Sequence, residues 1–476
     1  MNRYGQVTAE IVKELETIVG GRNVIFGESD RLEPYSHDEV AQKEYWHFPE
    51  AVVKPNSPEE ISSILRLANR ELIPVTPRGA GSGLSCGAVP VFGGIVLSLE
   101  RMNRILEIDE ANMVVVVEPG VVTNELNRAL EPKGLFYAGY PMSLETCFIG
   151  GNVAENAGGG KAVKYGVTGR YVLGLEVVLP TGEIVPIGGK RVKDVTGYDL
   201  VHLLVGSEGT LGIFTKIFLK LLPLPRATCD LLVLFPDVPS AIAVVPVMMT
   251  EARIIPTSVE FMDRLSFQTG CRHLNEYIDY KDAGASLLIE VDGQSKEEVE
   301  EQYFRIGELC EERGALEVYV ADNLTTRERI WNIRRKIPEA FKVENPHQSP
   351  EDIVVPIAEI PALMPELERI GKEFGVRIPC FGHAGDGNLH ATVVKEPSDS
   401  LEEWQKKLPK VLRELYIVAA RLGGTISGEH GIGSKRKEYL PLVLDSTLIS
   451  LMKRVKQAFD PNGIMNPGKI FPEPEE

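Results

Sequence analysis

The stretch Pro77-Arg78-Gly79-Ala80-Gly81-Ser82-Gly83-Leu84-Ser85 decides how this chain is read. It lies between two apolar, strand-like runs at 75–76 and 95–99, with glycine at 79, 81 and 83. Glycines at alternate positions let a backbone approach a ligand closely and turn several N–H groups inward. Such a nest binds phosphate oxygens without needing a helix N-terminus. The pattern is not the G-x-G-x-x-G dinucleotide fingerprint: Leu84 and Cys86 stand where glycine would be required, and a strand, not a helix, follows. A long flexible hairpin loop is the competing reading of this segment alone.

A second stretch, Gly150-Gly151-Asn152-Val153-Ala154-Glu155-Asn156-Ala157-Gly158-Gly159-Gly160, weighs against the plain loop. Two such glycine loops separated by strands imply a ligand with an extended polar spine, such as a dinucleotide. A third, Gly206-Ser207-Glu208-Gly209-Thr210-Leu211-Gly212, runs into a long strand.

Outward from these loops, 476 residues exceed what one hydrophobic core normally serves, so two or more domains are expected. A net charge of −17 repels phosphate backbones and excludes nucleic acid as a natural partner class. No apolar run reaches the roughly 18 residues of a membrane helix, and residues 1–20 read as an amphipathic helix, not a signal peptide. The six cysteines, at 86, 147, 229, 271, 310 and 380, form no C-x-x-C pair, so neither an iron–sulfur cluster nor a zinc knuckle is encoded. A reduced, cytoplasmic setting is expected. Disorder is expected only in the acidic tail, 472–476.

Thr8 caps a first helix that Gly20 ends, and Ser57-Pro58-Glu59-Glu60 opens a second as a capping box. Residues 1–130 alternate strands and helices. From 171 to 221 strands dominate, with a hairpin about Pro180-Thr181-Gly182, and Pro223 and Pro225 stop the last of them. The expected organisation is residues 1–225, 226–423 and 424–476. In the middle segment, strands at 231–235, 286–291, 316–320, 376–381 and 389–394 alternate with helices at 295–312, 324–343, 360–374 and 402–421. That pattern predicts an α+β domain, an antiparallel sheet with helices on one face.

Three of only eight histidines fall in two motifs, Phe381-Gly382-His383-Ala384-Gly385-Asp386-Gly387-Asn388-Leu389-His390 and Ser427-Gly428-Glu429-His430-Gly431. Asp386-Gly387 signals a tight hairpin that would bring His383 and His390 together on adjacent strand ends. Two imidazoles plus a carboxylate suit Zn, Mn or Fe(II). Spacing alone leaves a second reading equally open, in which both histidines are hydrogen-bonded structural residues.

The motifs P-R-G-A-G-S-G-L-S, I-G-G-N-V-A-E-N-A-G-G, T-G-Y-D-L and G-S-E-G-T-L-G-I together resemble the FAD-binding module of the vanillyl-alcohol oxidase superfamily. The resemblance spans nearly the whole chain. It points to the D-2-hydroxyacid dehydrogenase branch, with D-lactate dehydrogenase and the glycolate oxidase catalytic subunit. It implies an α+β fold: a two-subdomain FAD-binding domain of the PCMH type, plus an α+β cap domain with an antiparallel sheet and flanking helices. By the same resemblance Arg78, Gly79, Ala80, Gly81, Ser82 and Gly83 hold the FAD pyrophosphate. Pro141, Ser143, Gly150, Gly151, Asn152 and Ala154 line the flavin side, with Gly160 and Tyr165 close by. Glu208, Gly212 and Ile213 would stand near the adenosine half. Relatives with covalent flavin carry a histidine beside the first loop; positions 77–90 here have none, so non-covalent FAD is expected.

The resemblance also makes His383, His390 and Glu429 the ligands of a divalent metal and His430 the catalytic base. It places Arg334 on the substrate carboxylate, a role for which a guanidinium fork suits better than a lysine; Arg335 is the adjacent alternative. Pro338 stands where hydroxyglutarate enzymes carry Thr, and Glu351-Asp352-Ile353-Val354-Val355-Pro356 lacks their lysine, which favours a small substrate. The implied reaction is oxidation of a D-2-hydroxy acid, D-lactate first, with hydride passing to flavin N5. Electrons must then leave to a partner. The stretch at 158–166 resembles lactate dehydrogenase subunits that work with an electron-transfer flavoprotein. Glycolate-oxidase-type iron–sulfur or quinone acceptors are one alternative; an alkyl-dihydroxyacetone-phosphate synthase-like transferase is another.

Overall fold

The computed structural model describes residues 3–40, 42–139, 141–278 and 281–473. The last three residues of the acidic tail, where disorder was expected, lie outside the described residues. The chain forms two compact units: Met1–Gly158 with Val167–Leu224 and Glu429–Glu476, and Gly159–Gly166 with Pro225–Gly428. Relative to the expected organisation, the C-terminal segment starts at 429 instead of 424. The end of the second glycine stretch goes to the unit built mainly from the middle of the chain.

The first unit holds two main sheets. One orders the strands Val24–Phe26, Ala51–Val53, Ile95–Ser98 and Val75–Arg78, the last three parallel. Parallel strands need a crossover: the helix Pro58–Glu71 carries the chain from Ala51–Val53 to Val75–Arg78, on the far side of Ile95–Ser98. Ser57 caps this helix by accepting from the Glu60 amide, and Pro58 at its first position loses no hydrogen bond. Its Ile61, Ile64, Leu65 and Ala68 are fully buried and share a core with Leu15 of the Thr8-capped helix Ala9–Val19 and with Val75, Ile95 and Leu97. Each such side chain contributes roughly 1.5–3 kcal/mol by leaving water. The second sheet is antiparallel and orders Ile105–Asp109, Val114–Val117, Ile213–Lys220, Val172–Val178 and Ile184–Gly188; the last two strands form the expected hairpin.

The second glycine stretch corrects one expectation. It is not a loop throughout: Ile149–Glu155 forms a short helix, ended by Asn156 in the left-handed conformation at φ 52°.

The second unit is built on a seven-stranded, wholly antiparallel sheet. Its order is Glu317–Ala321, Ala227–Phe235, Ala285–Gly293, Ser258–Asp263, Cys380–His383, Asn388–Val394 and Gln348–Val354. Helices cover both faces, not one. Arg264–Leu274 and Leu324–Glu344 pack over Leu232, Met262, Leu288 and Phe381, while Lys296–Glu312 and Val238–Thr250 pack on strands whose intervening residues Leu231, Val233 and Ile289 are also buried. Residues directly opposed in a ladder share a face. Asp230 opposes Glu290, Glu290 opposes Ser258, Glu260 opposes His383, Phe381 opposes His390, and His390 opposes Asp352. The face that carries an apolar core under two helices therefore also carries a row of buried polar residues across the sheet. Among the described residues, no helix is long and apolar enough to cross a membrane.

Candidate functional site: a main-chain cradle and a side-chain clamp

In the first unit the glycine stretches meet around a cavity of ≈ 240 Å³. Arg78, Gly79, Ala80, Gly81, Ser82 and Gly83 line it, as do Pro141, Ser143, Gly150, Gly151, Asn152 and Ala154. Glu208, Gly212 and Ile213 complete this set from the third stretch. Glycine is frequent in the wall, at 79, 81, 83, 150, 151 and 212. Gly81 sits at φ +76°, and a Cβ there would run into the Arg78 guanidinium. A Cβ at Gly151 would meet no protein atom within 4 Å, so glycine keeps open the space beside the short helix. Gly212 has a packing reason: a Cβ would stand 2.6 Å from Val177 Cγ1.

Arg78 lines this wall, and its guanidinium is held by main-chain carbonyls. Its Nη1 donates to the His37 carbonyl at 2.8 Å and its Nη2 to that of Pro34 at 3.0 Å. The guanidinium thus braces the nest from behind. Glu208 also has a more specific place than the resemblance gave it. Its carboxylate accepts from the amides of Ile432 and Gly433 at 2.8 and 2.7 Å, which fixes the chain just after His430. Glu429 and His430 line the same cavity, with His430 Nε2 3.6 Å from Glu429 Oε1. Lys469 and Asn466, from the C-terminal Asn466-Pro467-Gly468-Lys469, close the region: Asn466 donates to the carbonyls of Gly87 and Glu208, and Lys469 to that of Val89. Burial brings the Lys469 amine down to about 8. Glu155, a wall residue that sequence reading did not single out, is pushed well above the usual carboxylate range by burial and then by Glu208 and Asp38.

Gly160 and Tyr165 do not line this cavity; they belong to the second unit. The Tyr165 hydroxyl donates to Asp292 at 2.8 Å, Lys164 pairs with the same carboxylate at 2.5 Å, and Lys161 pairs with Glu290 at 2.9 Å. Three contacts inside one unit thus fasten the segment 159–166 to the polar row of the sheet.

The rest of that row forms a clamp. The Asp386-Gly387 turn closes as a hairpin, with Gly387 at φ +84°, and sets the His383 and His390 rings edge to face at 5.3 Å. Both are buried. Between His383 and Arg334 lies Glu260, fully buried, with Oε1 2.5 Å from His383 Nδ1 and Oε2 accepting from Arg334 Nε at 2.8 Å. Burial alone would raise the Glu260 carboxyl; His383 and Arg334 outweigh it and hold the group at about 2. The two candidate arginines separate cleanly. Arg334 is 3% exposed and stacks over Phe381 at 4.8 Å, whereas Arg335 points outward to Glu328. The Arg334 Nη2 is buried with no hydrogen-bond partner, a state that costs roughly 1–3 kcal/mol or more for a charged group. Asp352, also buried, accepts from Asn388 Nδ2, Ser427 Oγ and the Gly428 amide at 2.6, 2.7 and 2.9 Å. It anchors the chain immediately before Glu429 and His430. Glu260 and Asp352 were not found from sequence, because their partners lie far away along the chain and no local motif marks them.

Comparison with known proteins also divides the chain in two, with different bounds. A model of the C-terminal domain of FAD-linked oxidases matches residues 224–470, and an FAD-binding domain model matches 49–188. The chain is 40% identical to glycolate oxidase subunit GlcD of Bacillus subtilis, over 98% of this chain and 97% of that one. It is 38% identical to D-lactate dehydrogenase of Anaerostipes hadrus, over 98% of each. The fold matches p-cresol methylhydroxylase with a TM-score of 0.77 at 19% identity, covering 96% of both chains. The chain is a member of the FAD-linked oxidases, in the branch that contains D-lactate dehydrogenase and the glycolate oxidase subunit.

Proposed function

We propose that this protein oxidises a small D-2-hydroxy acid, D-lactate first, to the 2-oxo acid, using non-covalent FAD. The observation that carries the reading is that His430 lines the same cavity as the glycine stretches, so a proton acceptor stands in the wall of the cofactor space. The cavity suits FAD by its wall: glycine backbone, and at Gly151 open room that a side chain would fill. FAD, when bound, supplies the acceptor for the substrate Cα hydride. His430 takes the hydroxyl proton. Arg334 binds the carboxylate: its unpartnered buried Nη2 is the donor such a group would satisfy.

The reading includes a divalent metal held by His383, His390 and Glu429. In its support, His383 and His390 are buried side by side, and His383 meets a carboxylate through Nδ1, the outer hydrogen bond that metal-ligating histidines usually make. A metal there supplies a Lewis acid that makes the hydroxyl proton easier to remove. The electron acceptor in this reading is an electron-transfer flavoprotein; lactate-dependent NAD reduction on mixing the two proteins tests that step.

The direct test of the chemistry is His430→Ala. FAD should remain bound, and anaerobic flavin reduction by D-lactate should slow by about 10²–10⁴-fold, the usual contribution of a positioned base. Near-normal reduction would overturn the assignment.

A further inference from the structure

We propose that Glu260 is the positioning residue of the substrate half, one carboxylate that fixes His383 and Arg334 together and so couples metal retention to substrate-carboxylate binding. The inference rests on the roles given to His383 and Arg334 above.

Four observations carry it. Glu260 sits in the strand Ser258–Asp263 directly opposite His383, so the ladder register itself sets their distance. Its two oxygens are divided, Oε1 to His383 Nδ1 at 2.5 Å and Oε2 to Arg334 Nε at 2.8 Å. The carboxylate is fully buried, so water does not compete for either oxygen. Finally, the chain passing over it is glycine: a Cβ at Gly160 would stand 2.7 Å from Glu260 Oε1 and 3.6 Å from His383 Nδ1. Only glycine leaves this carboxylate its place.

The chemistry follows from what a carboxylate can do. An ionised carboxylate accepts and never donates. A His383 facing it through Nδ1 must therefore carry a proton there, which leaves Nε2 as the one ring nitrogen whose lone pair can ligate. On the other side, holding Arg334 by Nε, with Phe381 under the guanidinium at 4.8 Å, orients the Nη2 edge for a carboxylate. Rotation of Glu260 toward one partner would release the other. A single side chain thus sets a histidine tautomer and an arginine orientation that sequence distance would never pair.

Glu260→Gln tests this while preserving size. The amide oxygen can still accept from Arg334 Nε, but its NH₂ then faces His383 Nδ1 and selects the tautomer with the proton on Nε2. In the full chain, loaded with FAD and stripped of metal by a chelator, the dissociation constant for added Mn(II) should rise about 10–100-fold. The KM for D-lactate should rise more than kcat falls, and bound flavin should stay at one per chain. Mn(II) affinity and KM both within twofold of wild type, with His383→Ala and Arg334→Ala each impaired, would overturn the role of Glu260 alone. Unimpaired His383→Ala and Arg334→Ala would instead overturn the underlying reading. Should Glu260→Gln fail to fold, ¹⁵N-histidine NMR of the metal-free wild type decides. His383, assigned by its loss in His383→Gln, should show the Nδ1–H tautomer. The Nε2–H tautomer contradicts the proposal.

Discussion

The two units are built by opposite means. The cofactor cradle is rich in glycine: positions 79, 81, 83, 150 and 151 supply closeness, and the Arg78 guanidinium donates to the carbonyls of His37 and Pro34. The clamp is mostly side chain: His383, Arg334, Glu260 and Asp352 are buried, and hydrogen bonds hold them, Glu260 to His383 and Arg334, and Asp352 to Asn388 and Ser427. The difference teaches what each can tolerate. A cradle of backbone fails when a methyl group is added. A clamp of paired charges fails when one partner is removed, because the other is left buried and uncompensated.

Apart from His430→Ala, the largest expected effect is on the clamp. Arg334→Ala should raise the KM for D-lactate by about 100-fold or more, since truncating one partner of a buried, hydrogen-bonded charge pair costs binding roughly 2–5 kcal/mol. Arg335→Ala, on the outer face of the same helix, should stay within about twofold. Equal effects of the two in steady-state kinetics would erase the distinction between inner and outer arginine.

The cradle gives the middle effect. Gly151→Ala places a methyl in the open space of the wall and should weaken FAD binding about tenfold, in line with the roughly 1–3 kcal/mol typical of overfilling a packed site. Titration of the apoprotein, followed by flavin fluorescence, reads this directly. Unchanged affinity would mean that the glycine is not there for closeness.

The smallest effect is a pH dependence. Glu260 is held at about 2 in the folded chain, against about 4.5 when free. A carboxyl with a depressed folded pKa contributes stability that is fully present above the unfolded value and is lost as pH falls through the folded one. Wild type should therefore lose its advantage over Glu260→Gln as pH drops from about 4.5 to about 2, as urea unfolding at a series of pH values would show. A gap that stays constant across that window would contradict the pairing.

Much of this was legible in the sequence, and the same contrast explains where legibility ended. Glycine stretches and the Asp386-Gly387 turn are local signals, so the cradle and the histidine hairpin could be read from neighbours in the chain. The helix Leu324–Glu344 was equally plain, although which of two adjacent arginines faces inward needed the strand beneath it. The strands Ser258–Asp263 and Gln348–Val354 were missed because Glu260, Asp263, Glu351 and Asp352 make them look like surface segments; their buried carboxylates are satisfied by donors from elsewhere in the fold, Arg334, the Cys380 amide, Tyr416, and Asn388 with Ser427. The helix Val238–Thr250 was missed because it is apolar on most sides and carries Pro246, so it shows no amphipathic stripe. Ile149–Glu155 was read as loop because two of its first three residues are glycine. A buried carboxylate shared by partners 74 and 123 residues away leaves no mark in any short window.

The central claim is that the cradle and the clamp serve one reaction, the oxidation of a small D-2-hydroxy acid by bound FAD. Anaerobic titration of the FAD-loaded protein tests it most directly. One equivalent of D-lactate should bleach the flavin absorbance, while L-lactate leaves it oxidised. A fully loaded flavin that stays oxidised in excess D-lactate, glycolate and D-2-hydroxyglutarate would contradict the account.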